Sequence, residues 1–99
     1  MTIRITAHVL RALECIVSLP ADEASGAAIS RITGLPSGTL YPLLMRLESA
    51  GWLSSKWEKA EPSDLGRPRR RLYRVTAKGA AHAREAATGL VKVVGRLAT

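Results

Sequence analysis

The sequence predicts a mainly helical α+β domain built from three helices, a two-stranded hairpin and a long last helix. Apolar residues recur every three or four positions in four segments, which is typical of amphipathic helices. Two short stretches with apolar and aromatic residues, the first of them partly alternating, lie before the last of these segments and favour strands. The connections are rich in proline, glycine and charge, and a length of 99 residues suits one domain.

The first two helices are placed by their capping residues. Thr6 is the expected N-cap of a helix over about residues 6–19. Ser25 is the expected N-cap of a shorter helix over about residues 25–33. Gly34 suits the C-terminal position of that second helix, so a short turn separates it from the third.

The third helix, over about residues 38–50, has a row of leucines along one face. These residues follow the spacing i, i+3, i+4, i+7 and are Leu40, Leu43, Leu44 and Leu47. Either Ser37 or Thr39 caps this helix, and in both cases Pro42 marks an N-terminal turn. Gly51 is the expected left-handed residue at its end.

Two strands, at about residues 53–58 and 70–75, predict a β-hairpin with a long exposed tip. Thr76 then caps a last helix over residues 76–98. Such a helix spans about 33 Å, too long for so small a domain to cover. Its small and apolar residues are spaced like a short heptad seam, and we expect them to form a dimer interface: Ala83, Ala87, Leu90, Val94 and Leu97.

The order of these elements is that of a winged helix-turn-helix domain with a C-terminal dimerisation helix. In such a domain the third helix enters the DNA major groove and the hairpin, or wing, lies against the flanking backbone. Residues 1–75 would form the DNA-binding part and residues 76–98 the dimerisation helix of the same domain. The net charge of +7 indicates a polyanionic partner, with nucleic acid ahead of anionic membrane or acidic protein.

The face of the third helix opposite the leucines carries candidate DNA contacts. Thr39, Pro42 and Arg46 are placed to approach bases or the adjacent backbone. Ser37 and Tyr41 are placed to hold phosphates through their hydroxyl groups. The alternative is a solvated helix face with an incidental arginine, and this helix alone does not decide between the two.

The wing sequence GRPRRRLYR supplies further candidates. Arg67, Arg69 and Arg70 lie near its tip, and no acidic residue occurs between Asp64 and Glu85. The alternative is a solubilising charge run that discourages edge-strand pairing. Five arginines beside a helix-turn-helix pattern favour the DNA-binding interpretation.

Two motifs together resemble the PadR family of bacterial transcriptional regulators. They are GTLYPLLMRLESAGW, followed by a strand containing KWE, and GRPRRRLYRVTAKG. The matching positions in the third helix are Gly38, Thr39, Leu40, Tyr41, Pro42, Leu44, Leu47, Glu48 and Gly51. Those in the wing and beyond are Gly66, Arg67, Pro68, Arg70, Tyr73, Thr76 and Gly79.

The resemblance implies a homodimeric winged-helix DNA-binding protein, usually a repressor, whose last helix forms the dimer with the first helix of the partner. Lys56, in the KWE strand, joins the candidate DNA contacts. Some family members bind apolar or aromatic small molecules near the dimer interface. With a single C-terminal helix the chain resembles the short subfamily, which argues against a large effector pocket.

The remaining distinctive side chains favour packing over chemistry. Cys15 is expected to be a small buried hydrophobe, with thiol sensing as the alternative. His8 and His82 lack metal-site spacing, so we expect no metal. Trp52 is expected to pack, and Trp57 either covers the sheet or stacks an aromatic ligand. No catalytic set or cofactor motif is present, so we expect no enzyme.

The sequence therefore predicts a dimeric repressor that binds a palindromic promoter operator and is released by a small-molecule effector. No apolar run is long enough to span a membrane, and no convincing signal peptide precedes the first helix, so we expect a cytoplasmic protein. Two alternatives stay open: a sequence-independent nucleic-acid binder, and a winged-helix module that contacts an acidic protein.

Overall fold

The computed structural model describes residues 3–98, and of residues 90–94 and 98 it describes the backbone alone. The elements in chain order are α1 (Ala7–Ser18), α2 (Gly26–Thr33), α3 (Ser37–Ser49), β1 (Leu53–Trp57), α4 (Pro62–Leu65), β2 (Arg71–Val75) and α5 (Ala77–Ala98). The predicted fold class is confirmed, because the chain is mainly helical with one small antiparallel sheet. Every predicted helix and strand begins and ends within one residue of its expected position.

The sheet is a two-stranded hairpin whose register runs from Leu53 opposite Val75 to Trp57 opposite Arg71. An isolated bridge between Ser25 and Leu72 fastens the start of α2 to the same hairpin. The wing is therefore attached to the helical part of the domain along one side.

The hydrophobic core lies between α1, α2, α3 and the inner side of the hairpin. The largest fully buried side chains are Ile29, Leu40, Leu44 and Leu47. Three of these four belong to the leucine row of α3, which agrees with the predicted inward face. Each fully buried leucine contributes about 2 kcal/mol of transfer free energy, so this row holds α3 firmly in one rotation about its axis.

Three predicted helix caps are confirmed by hydrogen bonds. The Thr6 hydroxyl accepts from the Val9 amide at 3.2 Å, and the Ser25 hydroxyl accepts from the Ala28 amide at 3.2 Å. The Thr76 hydroxyl accepts from the Gly79 amide at 3.1 Å in the same way. Each bond satisfies one amide that the first helical turn would otherwise leave unpaired.

The predicted caps of α3 are wrong, because neither Ser37 nor Thr39 precedes the helix. The N-cap is Pro36, whose carbonyl accepts from the amides of Thr39 and Leu40, both at 2.9 Å. The proline ring fixes φ, and Pro36 has the extended ψ of 153° that suits an N-cap, so the helix starts one residue earlier than expected. Pro42 consequently lies beyond the first turn, inside the helix.

The end of α3 is a Schellman motif. Gly51 has the predicted left-handed conformation, with φ of 81°, and its amide donates to the Glu48 carbonyl at 3.0 Å. The Trp52 amide donates to the Leu47 carbonyl at 2.9 Å. This pair of bonds closes the helix and turns the chain directly into β1.

The expected irregular tip of the hairpin contains the short helix α4 instead. Pro62 occupies its first turn, where a missing amide hydrogen costs little, and Gly66 ends it with φ of 67°. The loop is therefore locally ordered.

The start of α5 is packed tightly on Trp52, which is 3% exposed and confirms its predicted packing role. The His82 ring stacks on the Trp52 indole, with 4.4 Å between centroids and 8° between planes. Gly79 lies against the Trp52 backbone so closely that a Cβ there would come 2.3 Å from the carbonyl oxygen. From this contact α5 projects away, and the molecule measures 59 × 25 × 24 Å.

The close approach at Gly79 predicts a selective loss of stability. Gly79→Ala forces a methyl group against the Trp52 carbonyl and should lower the free energy of unfolding by about 1–3 kcal/mol. The matched control is Gly89→Ala, where an added Cβ meets no atom within 4 Å. This control should raise stability by about 0.5–1 kcal/mol through higher helix propensity. Urea unfolding at one protein concentration measures both, and equal stability of the two variants would contradict the tight packing.

Candidate nucleic-acid interface

The face of α3 opposite the leucine row is open to solvent. The predicted contacts Ser37, Thr39, Pro42 and Arg46 are all exposed, and Tyr41 at the edge of this face is 43% exposed. No side chain caps the first turn of α3, because its N-cap is a proline. The helix therefore presents free polar groups, small residues and its positive N-terminal end on one surface.

The start of α2, the α3 helix and the wing meet around one open pocket of about 470 Å³. Its lining residues are Ser25, Gly26, Ala27, Tyr41, Trp57, Arg69, Arg70, Arg71 and Tyr73. Three guanidinium groups and two phenol groups make the pocket suited to an anion with several oxygens. The N-terminus of α2 adds positive potential at the same place, so the pocket has the chemistry of a phosphate site.

Tyr41 lies directly against the first turn of α2. A Cβ built at Gly26 would lie 2.6 Å from the Tyr41 hydroxyl oxygen and 2.7 Å from its Cε1. A larger residue at position 26 would therefore displace the tyrosine ring from the pocket. Gly26 was not among the residues selected from the sequence. A glycine directly after the N-cap Ser25 could have indicated a close contact there.

Two of the wing arginines have carboxylate partners, although no acidic residue lies between Asp64 and Glu85 in the sequence. Arg67 makes a two-pronged pair with Glu58, at 2.7 and 3.2 Å, and Arg69 pairs with Glu61 at 3.0 Å. The carboxylates precede the arginine run in the chain, on the opposite side of the loop. These pairs tie the loop together across α4.

Glu58 anchors the loop in a second way. Its Oε1 atom also accepts the Arg70 backbone amide at 2.7 Å. The hydrogen bonds from Arg67 and from this amide lower the pKa of the Glu58 carboxyl. The same carboxylate raises the pKa of the Arg67 guanidinium. Glu58 was not among the residues that sequence analysis selected.

Two of the predicted DNA contacts on the wing, Arg70 and Lys56, are exposed cations that stay available. Among the side chains that the structure describes, neither makes an ion pair or a side-chain hydrogen bond. Arg70 lines the pocket beside Tyr41, and its backbone is held by Glu58. Its position is therefore fixed while its guanidinium is free to bind an anion.

Arg71 is drawn inward and connects the wing to α3. Its Nε donates to the Ser55 hydroxyl at 2.7 Å, and its Nη2 lies 3.5 Å from the Glu48 carboxylate. The guanidinium also lies 5.4 Å from the centre of the Trp57 ring. Trp57 is 57% exposed and borders the pocket. The Arg71 guanidinium covers part of its ring.

A separate apolar groove of about 430 Å³ runs between α1 and α5. It is lined by Leu10, Leu13, Glu14, Val17, Ser18, Val75, Ala80, Ala83 and Ala87. Of the predicted dimer residues, Ala83 is half-buried and Ala87 and Leu97 are exposed. The side chains of Leu90 and Val94 lie outside the described residues.

Other chemistry is not visible in the part of the chain that the structure describes. Cys15 is buried, as predicted, and burial together with Glu14 raises the pKa of its thiol, which keeps it protonated near neutral pH. Within residues 3–98, no group of three or more metal-binding side chains is arranged to hold an ion. Nor does any described helix have the length and apolar character needed to cross a membrane.

The lowered pKa of Glu58 predicts how the wing responds to acid. Because the folded pKa lies below the unfolded value, near 4.3 for an ordinary glutamate, this anchor is fully present above that pH. It is lost only as the pH falls through the lowered value. The Arg70 amide proton, followed by NMR, should therefore report a titration below the pKa of an ordinary glutamate. Glu58→Gln should abolish this titration, and a midpoint above the ordinary value would contradict the pairing.

Comparisons with known proteins agree with this geometry. Residues 25–85 match the family described as Transcriptional regulator PadR-like. A PadR-family transcriptional regulator from Eggerthella lenta is 32% identical, with a TM-score of 0.66, and the match covers 90% of this chain and 79% of that one. A PadR-like transcription factor from Bacteroides fragilis is 25% identical, with a TM-score of 0.69 and coverage of 89% and 85%.

The fold also resembles BpsR from Bordetella bronchiseptica, whose DNA binding is regulated by 6-hydroxynicotinic acid. This match has 17% identity, a TM-score of 0.73 and coverage of 94% and 61%, and it concerns the fold alone. No curated protein gives a significant match. The family match spans more than half of the chain, and the chain therefore belongs to the PadR-like family of transcriptional regulators, which bind DNA and are not enzymes.

Proposed function

We propose that the protein is a sequence-specific repressor that binds a palindromic promoter operator as a homodimer. The observation that carries this proposal is the exposed face of α3 beside the cationic pocket that α2, Tyr41 and the wing share. A helix about 10–12 Å wide fits a major groove about 12 Å wide. With α3 in the groove, the pocket would meet the sugar–phosphate backbone along one border.

The predicted contacts take separate roles in this proposal. Thr39 and Pro42, near the N-terminal end of α3, approach base edges, where recognition helices make their contacts. Phosphates are held by the hydroxyl and cationic groups around the pocket and on the wing: Ser37, Tyr41, Lys56, Arg67, Arg69 and Arg70. Among these three arginines Arg70 contributes most, because its guanidinium alone has no carboxylate partner among the described side chains.

The test is a titration with DNA from upstream of the protein's own gene and with scrambled DNA of equal length, at two salt concentrations. A specific repressor keeps its preference for the upstream DNA at the higher salt. Thr39→Ala should reduce binding to the upstream DNA alone. Arg70→Ala should weaken binding to both DNAs and lower the salt slope by about one for each bound protomer. Equal binding to both DNAs that vanishes with salt would instead support a sequence-independent binder.

The second copy is proposed to cover the groove between α1 and α5. Val17 is 69% exposed within this groove, and the alanines of α5 allow another helix to approach closely. A helix of 22 residues extends about 33 Å, well beyond the part that packs on its own domain. The proposed partner surface is the α5 helix of the other protomer, including the predicted seam of Ala83, Ala87, Leu90, Val94 and Leu97.

A small apolar or aromatic effector is proposed to act at this same interface. An effector that binds one arrangement of the two protomers better than another would shift the distance between their α3 helices. Regulation of DNA binding by a small aromatic acid in BpsR is consistent with this class of mechanism. Trp57, which borders the pocket on the DNA side, is the other candidate contact for such a ligand.

The dimer proposal predicts the effect of a charge in the groove. Val17→Asp should give monomers and weaken operator binding, because a carboxylate would have to be buried against apolar side chains. Ala81→Asp is the matched control, since Ala81 is exposed and does not line the groove. Light scattering at micromolar concentration distinguishes the two. A dimeric Val17→Asp variant would place the interface elsewhere.

A further inference from the structure

A second basic surface lies on the side of α3 that faces away from the wing. The segment of residues 3–6 runs beside α3, and the two enclose a groove of about 260 Å³. The groove is lined by Ile3, Arg4, Thr6, Val9, Leu43, Arg46 and Leu47. Its residues are apolar, hydroxyl-bearing or cationic, and none is acidic. Neither Arg4 nor its segment was among the candidates from the sequence.

The segment is held in place, so Arg4 has a defined position. Ile3 and Ile5 are half-buried and pack against the core, and the Thr6 hydroxyl accepts from the Val9 amide. Exposure alternates along this segment, as expected where successive side chains point to opposite sides. With Ile3 and Ile5 directed to the core, Arg4 is exposed beside α3.

The two arginines of this groove differ from most of those in the wing. Arg67, Arg69 and Arg71 each have a carboxylate within 4 Å. Arg4 and Arg46 are exposed and have no ion pair or hydrogen bond to any side chain that the structure describes. Both arginines line one groove without an acidic side chain, so an anion bound there would meet two cations and no competing carboxylate.

The helical geometry of α3 separates this surface from the wing pocket. Tyr41 and Arg46 are five residues apart, which places them about 140° from each other around the helix axis. Tyr41 lies at the edge next to the wing, and Arg46 lies at the edge next to Arg4. Between these edges the helix exposes Pro42, Met45 and Ser49. The two edges of α3 therefore carry separate cationic surfaces.

We propose that Arg4 and Arg46 bind phosphates of the DNA strand that borders the major groove on the side away from the wing. A helix seated in a major groove has one backbone strand on each side. The pocket at Tyr41 and Arg70 serves one strand, and the Arg4–Arg46 pair serves the other. This inference rests on the proposed DNA-binding function and adds a contact surface to it.

The first test compares Arg4→Ala, Arg4→Lys and Arg84→Ala in the full chain, titrated with the upstream DNA over a range of salt concentrations. Arg4→Ala should lower the salt slope by about 0.9 for each bound protomer, which is about an eightfold loss of affinity per protomer near 0.1 M salt. Arg4→Lys should keep the slope, because it keeps the charge. Arg84, an exposed arginine on α5, should be replaceable without effect.

The second test locates the contact. Single neutral methylphosphonate groups placed along the operator weaken binding wherever a phosphate is held by a cation. In Arg4→Ala, methylphosphonates at the phosphates held by Arg4 should no longer weaken binding. These phosphates should lie across the major groove from those identified in the same way with Arg70→Ala. Thermal unfolding of the variants, expected to match the unchanged protein, separates loss of contact from loss of fold.

The outcomes distinguish this inference from the proposed function. One result is specific binding by the unchanged protein together with an Arg4→Ala salt slope equal to that of the unchanged protein. That result would overturn the second surface and leave the repressor proposal standing. The same follows if Arg4 and Arg70 prove to act on the same strand. Failure of the unchanged protein to bind any DNA would overturn both.

Discussion

Burial of the α3 leucine row is the interaction on which the rest of the structure depends. Leu40, Leu44 and Leu47 are at most 1% exposed, so α3 cannot rotate without bringing several apolar side chains into water. This constraint leaves Tyr41 at one edge of the outer face and Arg46 at the other. The exposed polar face of α3 is thus a consequence of core packing, and its polar residues need contribute little to stability.

The wing shows how misleading a count of charges can be. The arginine run contains cations with different tasks, since Arg67 and Arg69 close the loop with glutamates while the Arg70 guanidinium has no such partner. Paired charges produce fields that fall off faster with distance than those of isolated charges. The paired wing arginines therefore add less to the long-range potential of the protein than their number suggests.

Patterns close together in the chain were enough to predict the fold, because helix periodicity, caps and turn glycines are local properties. Ser25 and Gly51 behave as their residue types and neighbours indicate. The Pro36 cap was not predicted, because hydroxyl side chains are common N-caps and Pro36 caps the helix without a side-chain hydrogen bond. Contacts between distant segments, such as Glu58 with Arg67 or Gly26 with Tyr41, leave no periodic trace in one sequence.

Hydrogen bonds join the start of α5 to the turn that ends α3. The Thr76 amide donates to the Trp52 carbonyl at 3.0 Å, and its hydroxyl donates to the Gly51 carbonyl at 2.6 Å. Gly79 and His82 pack against the same tryptophan. Gly51 directly follows Ala50, the C-cap of α3. The first turns of α5 are therefore fixed beside the end of α3, and the whole helix is about 33 Å long. A tilt of about 5° at this contact moves the far end of α5 by about 3 Å, and the same tilt acts directly on the turn that ends α3.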